Sequence, residues 1–419
     1  MPAADLSPDP PRAPARPAAL RFILLTVLLD VLGIGLIVPV LPAVVAELNV
    51  GTGLAPATVY GWLVGTFALA QFVCAPLVGA LSDRYGRRPV LLVSIATLGI
   101  NFAATYFAPT LGWLFATRVL SGATAASVTA ANAYVADVSG PDDRARNFGR
   151  LGAMFGLGFV IGPVLGGFLG ETNPRLPFLL AAALCGVNAL YGWFVLPESL
   201  PPALRRRLDW RRVNPIGALA ALRAYPAVSG LAVTFGLAAL AQVALQSTWV
   251  LYTGERFGWG PRENGLSLMA VGVLTAGVQG GLVSRLTAAF GERRLLVGGL
   301  ALAAIAHALI ASASSGWMLY ASMPVAALGG VAGPAAQAIV TRRVSASEQG
   351  SVQGALSGLS SLAAVIAPPV ATGLLAHFTQ RGGVPYVPGA SFFAGSAMLV
   401  FAAVAAFLVV RGRGMATGN

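Results

Sequence analysis

Long apolar runs follow one another along almost the whole chain, and this feature constrains the fold more than any other. Of the 419 residues, 56% are hydrophobic and only 10% are charged, whereas soluble proteins carry about 25% charged residues. A membrane-spanning helix needs about 20 apolar residues. Twelve runs of this kind lie near 20–46, 57–81, 90–108, 111–136, 147–170, 176–196, 226–252, 264–289, 295–313, 316–340, 351–377 and 389–410. The sequence therefore predicts an all-α membrane protein with twelve transmembrane helices.

The longest polar interruption separates the sixth run from the seventh and divides the chain into two groups of six. We expect each group to form one six-helix half. The first residues are rich in proline and polar side chains, which is typical of a disordered tail rather than of a cleaved signal peptide. The predicted organisation is a disordered tail at 1–19, an N-terminal half at 20–196, a cytoplasmic linker at 197–225, a C-terminal half at 226–411 and a C-terminal tail at 412–419.

The distribution of arginine predicts the orientation in the membrane. All 27 basic residues are arginines, and the net charge is +12. If both termini are cytoplasmic, 22 of these arginines lie in cytoplasmic segments, and the outer loops hold only Arg175, Arg256, Arg262 and Arg381. Because cytoplasmic loops carry an excess of positive residues, we expect both ends to lie inside. The arginines are dispersed between apolar runs, which argues against nucleic-acid binding.

The two halves share a repeated segment. IGPVLGGFLG at 161–170 is similar to IAPPVATGLLA at 366–376, at an offset of 205 residues, and the polar segments before them are also alike. Internal repeats are typical of transporters whose halves move about a central site. The alternative is a chance similarity between helices rich in alanine and glycine.

The segment GALSDRYGRRPVLL at 79–92 joins the second and third runs. It places one acid among three arginines, with glycines that allow close packing and a tight turn; the residues are Gly79, Asp83, Arg84, Gly86, Arg87 and Arg88. One interpretation is a solvated basic loop. The segment also resembles the signature loop of the major facilitator superfamily, in which the acid and the arginines hold the two halves together on the cytoplasmic side. The resemblance implies a cytoplasmic gate at this loop.

The fifth run carries glycines at a spacing of four residues, with one proline among them. These positions share one helix face and favour close helix packing, and the proline can bend the helix. The residues are Gly158, Gly162, Pro163, Gly166, Gly167 and Gly170. The pattern resembles the motif found in antiporters of the same superfamily, so the resemblance implies antiport, whereas the residues alone indicate helix packing.

Two charged residues lie inside apolar runs. Asp30 is about ten residues from the cytoplasmic end of the first run, and Arg118 is about seven residues from the outer end of the fourth, so their depths differ by about 5 Å. A charge inside the membrane is expensive and indicates function. Burial favours a protonated carboxyl and a nearby arginine favours a carboxylate, so we expect Asp30 to carry the coupled proton with Arg118 as its partner. The alternative is a permanent structural ion pair.

Polar side chains in other runs are candidates for lining a substrate cavity. They are Gln71, Asn101, Asn132, Gln242, Gln246, Trp249, Gln279 and His307. For each one, the alternative is a hydrogen bond between two helices. The two cysteines and two histidines show no metal-ligand spacing, so we expect no bound metal and no bound cofactor.

A narrower resemblance covers nearly the whole chain after residue 20. The segments LLDVLGIGLIVPVLP, SDRYGRRPVLL, GLGFVIGPVLGGFLGE, STWVLYTGERFGW and SEQGSVQGALSGL are similar to those of the bacterial tetracycline–proton antiporters. The resemblance implies that a drug leaves the cytoplasm as protons enter, and that a divalent metal travels only as a chelate with the drug. By motif, the functional positions of that family fall on Asp30, Gln71, Asp83, Arg84, Arg118 and Gln279.

Three positions depart from the best-studied tetracycline pumps. Those pumps carry an acid in the third span, a histidine in the eighth and an acid in the ninth, and the corresponding residues in this chain are Asn101, Thr275 and Ala303. Either Asp30 carries the proton alone or the substrate is different. The sequence thus favours antiport more strongly than it favours tetracycline.

The predicted function is export of tetracycline or a similar amphipathic drug, driven by the proton gradient. The alternatives are a metabolite or sugar transporter of the same fold, an exporter of other drugs only, and a membrane receptor or scaffold. An enzyme is not expected, because no nucleophile–base pair is found. We expect a monomer in the bacterial cytoplasmic membrane that binds a small drug and no nucleic acid.

Overall fold

The computed structural model describes residues 17–125, 127–205, 226–342, 344–345, 348–380 and 385–411. This part of the chain is helical, with no strand among the described residues. The helices of the first part are α1 (Pro17–Ile37), α2 (Leu41–Leu48), α3 (Pro56–Tyr85), α4 (Arg87–Tyr106), α5 (Leu111–Thr124), α6 (Ser127–Val138), α7 (Pro141–Thr172) and α8 (Leu176–Val195). A short 3₁₀ turn follows at Pro202–Leu204.

The second part contains seven further helices. They are α9 (Pro226–Phe257), α10 (Pro261–Gly277), α11 (Val283–Ser312), α12 (Gly316–Gly329), α13 (Ala332–Thr341), α14 (Gln349–Thr379) and α15 (Ala390–Arg411). A π-helical turn, Val278–Leu282, joins α10 to α11. Proline stands in the first turn of α3, α7 and α10, where its missing N–H has no helical partner to lose.

These helices account for twelve membrane crossings. Ten described helical stretches are long and apolar enough to cross a membrane. One of them, Pro261–Ser312, has 52 residues and turns back at Gly291, whose φ is +75°, so it supplies two crossings. The fourth crossing consists of α5 and α6, each too short to span alone. The fold predicted from the apolar runs is confirmed.

Some of the predicted apolar runs do not form one continuous helix. The first run ends its helix at Ile37 and resumes at Leu41, because Pro39 and Pro42 lack the N–H groups that a continuous helix needs. The fourth run is interrupted at Ala125, where ψ is +39°. The runs at 20–46 and 111–136 therefore each contain two helices rather than one.

The buried apolar side chains form separate cores. One core contains residues of α1 to α8, from Phe22 to Leu196. A second core contains residues from Leu231 to Ala406, and a smaller cluster around Tyr252 adjoins it. The domain boundaries drawn from the sequence stay a prediction. Residues 1–16, 206–225 and 412–419, which hold most of both tails and of the linker, lie outside the described residues.

The offset of 205 residues recurs at several helix ends in the structure. Helix α5 corresponds to α12 at both its first and its last residue, and the first residues of α6 and α3 correspond to those of α13 and α10. The interruption after α5 therefore matches the interruption between Gly329 and Ala332. Gly86 and Gly291, both with positive φ, are another matched pair. The repeat found in the sequence is thus a repeat of local structure.

Candidate functional site

The candidate site lies between the two halves, whose closest contacts among the described residues lie towards one end of the molecule. We call the end that carries Gly86 and Gly291 the basic face, and the other end, where α3 begins and α14 ends, the opposite face. Contacts between the halves join α7 to α10 and α3 to α14 near the opposite face.

The α7–α10 contact brings backbone against backbone. A Cβ at Gly167 would lie 3.2 Å from the Cα of Gly265, and a Cβ at Gly265 would overlap the carbonyl oxygen of Pro163. Nearby, the Arg262 guanidinium lies 4.0 Å from the Glu171 carboxylate and 5.2 Å from the centre of the Phe168 ring. The opposite face is therefore closed along this contact.

The same glycine-rich helix also packs against α1. A Cβ at Gly158 would lie 3.0 Å from the Leu32 nitrogen, and one at Gly162 would lie 2.8 Å from the Cα of Gly35. A Cβ at Gly166 would overlap the Leu36 carbonyl. Close packing, which the spacing of these glycines indicates, is present along α7, while their role in antiport stays a prediction.

Towards the basic face the space between the halves opens. Among the described glycines there, Gly79, Gly152, Gly156, Gly280 and Gly281 have no atom outside their own helix within 4 Å. The side chains of Gln242, Gln246 and Gln279 are exposed, and Gln279 lies in the π-helical turn. Three of the polar residues predicted to line a cavity are therefore exposed rather than packed inside one half.

Gln71 lies on α3 beside the interruption of the fourth crossing. Its amide Nε2 donates to the Ala125 carbonyl oxygen at 3.3 Å. That carbonyl lies at the end of α5, where the helical bonding pattern stops. Gln71 therefore ties α3 to the broken crossing, and Asn132 lies half-buried on the helix that follows the break.

Asp30 is 1% exposed and lies within the N-terminal half. It shares a face of α1 with Thr26, which donates to Asn188 Oδ1 of α8 at 3.1 Å. A Cβ at Gly33, one turn later on this face, would lie 3.4 Å from the Phe102 ring of α4. The carboxyl therefore belongs to the contact of α1 with α8 and α4.

Arg118 is 7% exposed and lies on α5. Its Nε and Nη2 atoms have no hydrogen-bond partner. A Cβ at Gly122, one turn away on α5, would overlap the Phe67 carbonyl, so this face of α5 packs on α3. The predicted pairing of Arg118 with Asp30 stays a prediction.

Three predicted cavity residues lie inside the packed halves. Asn101 is fully buried on α4. Trp249 is 3% exposed and donates through Nε1 to Ser267 Oγ at 3.0 Å. His307 is 5% exposed, with Nδ1 2.8 Å from the Ala303 carbonyl. We do not include these three residues in the site, because none reaches the open space between the halves.

The 79–92 loop contains a network of charges around Arg87. Its guanidinium lies 2.6 Å from the Asp83 carboxylate and 3.2 Å from the carboxylate of Asp137, which lies near the end of the fourth crossing. Its backbone N–H donates to Glu198 Oε1 at 2.9 Å. Arg88 donates to the Trp193 carbonyl at 2.6 Å, while Arg84 is exposed.

Sequence reasoning missed Glu198 and Asp137. The Glu198 carboxylate also accepts from the backbone N–H groups of Ser199 and Leu200, and Ser199 Oγ donates to Asp137. A Cβ at Gly86 would overlap Glu198 Oε2. The signal that was available is the acid in PES at 197–199, directly after the sixth run. Among the described residues, no three His, Cys, Asp or Glu side chains are grouped as metal ligands.

The chain thus combines twelve crossings, a duplicated half and a basic loop between α3 and α4. The family model of the Major Facilitator Superfamily matches residues 23–286 and 231–417. The chain belongs to the major facilitator superfamily. Within this superfamily it groups with the tetracycline resistance proteins.

The relatives cover most of the chain. The class C tetracycline resistance protein of Escherichia coli is 39% identical over 376 residues, which are 90% of this chain and 94% of the relative. The class G protein of Vibrio anguillarum is 38% identical, over 82% of this chain and 87% of the relative.

Solved structures of other superfamily members share the fold. The human organic anion transporter MFSD10 (TETRAN) is similar with a TM-score of 0.69 at 24% identity, covering 95% of this chain and all of the other. The nucleoside transporter NupG has a TM-score of 0.75 at 16% identity, covering 94% and 99%. At such identities the similarity concerns the fold alone.

Proposed function

We propose that this protein is a proton-coupled antiporter that exports tetracycline or a similar amphipathic drug across the cytoplasmic membrane by alternating access. The observation that carries the proposal is the identity of 38–39% with tetracycline resistance proteins over most of both chains. The closed opposite face and the open basic face are what one state of such a transporter requires. An enzymatic activity is not part of the proposal.

The orientation follows from the arginines. With the basic face in the cytoplasm, most arginines of the chain lie inside, as the positive-inside rule requires. The open space then faces the cytoplasm, and the conformation is inward-facing. A drug enters between the halves past Gln71, Gln242, Gln246 and Gln279, and the protein acts as a monomer in the bacterial inner membrane.

In the proposed cycle the proton resides on Asp30. The carboxyl is buried on α1, and α1 packs through Gly35 against the glycines of α7. Since α7 also forms the closed contact with α10, a change of charge at Asp30 acts on a helix that touches the gate. Arg118 supplies a positive charge within the same half. Protonation and drug binding thereby favour different positions of the two halves.

The loop with Asp83 and the arginines is the proposed cytoplasmic gate. In the inward-facing state Asp83 pairs with Arg87 of its own loop. In the outward-facing state we expect it to contact the C-terminal half and close the basic face. The transporter needs no bound cofactor, and a divalent metal accompanies the drug only as its chelate.

A second class of substrate is also a candidate. Asn101, Thr275 and Ala303 replace groups that the resemblance ties to metal–tetracycline transport, and this favours export of other amphipathic cations. A metabolite or sugar transporter is the remaining alternative, and no group in the described site favours it.

Purified protein in liposomes with an imposed pH gradient tests the proposal. The measurement is proton release from the vesicles after addition of tetracycline with Mg²⁺, or of a cationic amphipathic drug without metal. Release with tetracycline supports the full proposal, and release with the cationic drug alone keeps antiport and changes the substrate. Absence of release with both compounds contradicts the proposal, provided that the protein is correctly folded.

A further inference from the structure

The second contact between the halves joins α3 to α14, and a glycine lies at its centre. A Cβ at Gly61 would overlap the hydroxyl of Thr372 and would lie 2.9 Å from the Pro368 carbonyl oxygen and 3.0 Å from the Pro369 Cα. One turn further along, a Cβ at Gly65 would lie 3.2 Å from the Val365 carbonyl oxygen. The backbones of the two halves therefore touch at this contact.

The geometry of α14 explains the close approach. Pro369 has no N–H, so the Val365 carbonyl lacks its usual helical donor, and this carbonyl is the one that faces Gly65. The Thr372 hydroxyl donates to the Pro368 carbonyl at 2.9 Å, which holds the hydroxyl on the side that faces Gly61. The hydrogen bond favours the Thr372 rotamer that faces Gly61, and the Val365 carbonyl moves only with the α14 backbone.

The α3–α14 contact has a counterpart in the α7–α10 contact. Pro368 corresponds to Pro163 at the offset of 205 residues. Gly265 of α10 packs on the Pro163 carbonyl, as Gly61 of α3 packs on the Pro368 carbonyl. Each half thereby presents a glycine to a proline-containing helix of the other half.

We propose that closure of the opposite face depends on Gly61, because any side chain at this position holds α3 and α14 apart and shifts the protein to the state that is open at this face. The inference rests on the proposed alternating access and adds a residue to it. Protein interiors are close-packed and do not deform continuously. A group that overlaps backbone atoms of the other half is therefore relieved by separating the halves.

Distance measurements between two spin labels test this inference without any drug or pH gradient. Cys74 and Cys185 are first replaced by serine. The labels are then attached to cysteines introduced by Thr58→Cys, near the start of α3, and Gln380→Cys, beside the end of α14. In lipid nanodiscs we expect one short distance for the parent protein. Gly61→Leu should remove this short distance in favour of a longer one.

Gly373→Leu is the matched control. Gly373 follows Thr372 on α14 at the same depth, yet a Cβ there meets no atom within 4 Å. We expect this variant to keep the short distance. An equal shift in both variants would show that a larger residue acts through the helix itself, and this outcome would overturn the inference.

A second pair of variants keeps the test informative if Gly61→Leu does not assemble. Gly61→Ala adds only the Cβ, and we expect a partial loss of the short distance. Adding Thr372→Ala removes the hydroxyl that this Cβ meets and should restore part of the short-distance population. Unchanged distances in both Gly61 variants would contradict the inference. Because the readout needs no transport, loss of the proposed drug substrate would leave its outcome unaffected.

Discussion

The two halves of this protein share their scaffold but not their buried charges. Matched positions carry the turns at Gly86 and Gly291 and the interruptions after α5 and α12. The N-terminal half buries Asp30 and Arg118. At the offset of 205 residues, the C-terminal half has Phe235 and Met323 in their places.

This difference distinguishes the features needed for helix packing from those needed to bury a charge. Bending, turning and close contact require the same features in both halves, so proline, glycine and the helix breaks are duplicated. A buried charge is expensive in the membrane, and the described C-terminal half has uncharged hydroxyls, one amide and His307 among its buried polar groups. We therefore expect gating to involve both halves and proton coupling to depend on the N-terminal half.

The largest effect is expected at Asp30. Asp30→Asn keeps the size of the side chain and removes its ability to release a proton, so proton-driven drug transport in liposomes should fall at least about 100-fold. His307→Gln changes the buried titratable group of the other half, at a position that does not match Asp30, and should retain transport. Coupled transport by Asp30→Asn at the parent rate, or its loss in His307→Gln, would break the assignment of coupling to one half.

Arg118→Met gives the N-terminal half the residue that the C-terminal half has at Met323. Replacing a buried charge by a packed apolar group is often neutral or stabilising, by about 1–4 kcal/mol, and two nitrogens of Arg118 lack partners. We expect coupled transport to fall about tenfold or more, as for loss of a group that assists proton transfer, while the thermal unfolding midpoint in detergent stays or rises. A lower midpoint would instead indicate a structural role for Arg118.

More of the fold than of the candidate site could be predicted from the sequence. Apolar runs, the positions of arginines and the repeat at 161–170 and 366–376 define the crossings and their division, because these signals are local or periodic. The interruption between α12 and α13 has a signal in the pair Gly329–Gly330, whereas its partner at Ala125 has no glycine or proline beside it. Only the three-dimensional repeat connects the two.

Contacts between distant segments account for what the sequence did not predict. Arg87 meets Asp137 and Glu198, which are 50 and 111 positions away, and no spacing rule links such residues. Arg118 and Asp30 lie at similar depths in the sequence prediction, but depth alone does not determine the direction of a side chain. Side-chain direction depends on which helices are neighbours, and this information is tertiary.

A smaller effect should distinguish the two matched glycine turns. Gly86 has φ +107° and ψ 157°, and Gly291 has φ +75° and ψ 155°; such backbone is essentially restricted to glycine and costs other residues about 1–3 kcal/mol. A Cβ at Gly86 also meets the Glu198 carboxylate, whereas one at Gly291 meets nothing within 4 Å. Gly86→Ala should therefore lower the unfolding midpoint more than Gly291→Ala does.

The removal of Glu198 sharpens this comparison. In a Glu198→Ala background the steric part of the cost disappears, so the two glycine substitutions should become similar in their unfolding midpoints. If Gly291→Ala is the more destabilising change in the parent protein, the Glu198 carboxylate does not limit the residue at position 86.

The smallest effect concerns two ion pairs of opposite polarity. Arg87 pairs with Asp137 at 3.2 Å, and at the corresponding positions Glu292 pairs with Arg342 at 2.9 Å. Each pair joins the turn before one crossing to the end of the next, at the basic face. The first pair has side-chain exposures of 14% and 26%, and the second of 15% and 77%.

Because an exposed ion pair contributes only about 0–1 kcal/mol, Glu292→Arg alone should lower the unfolding midpoint slightly, and Glu292→Arg with Arg342→Glu should restore it. The interaction energy from this double-mutant cycle should be smaller than that of the same exchange at Arg87 and Asp137, since Arg87 also contacts Asp83. Equal interaction energies would mean that the ion pairs stabilise the turns of both halves to the same extent. A larger energy in the N-terminal half would extend the electrostatic asymmetry from the buried Asp30 to the basic face.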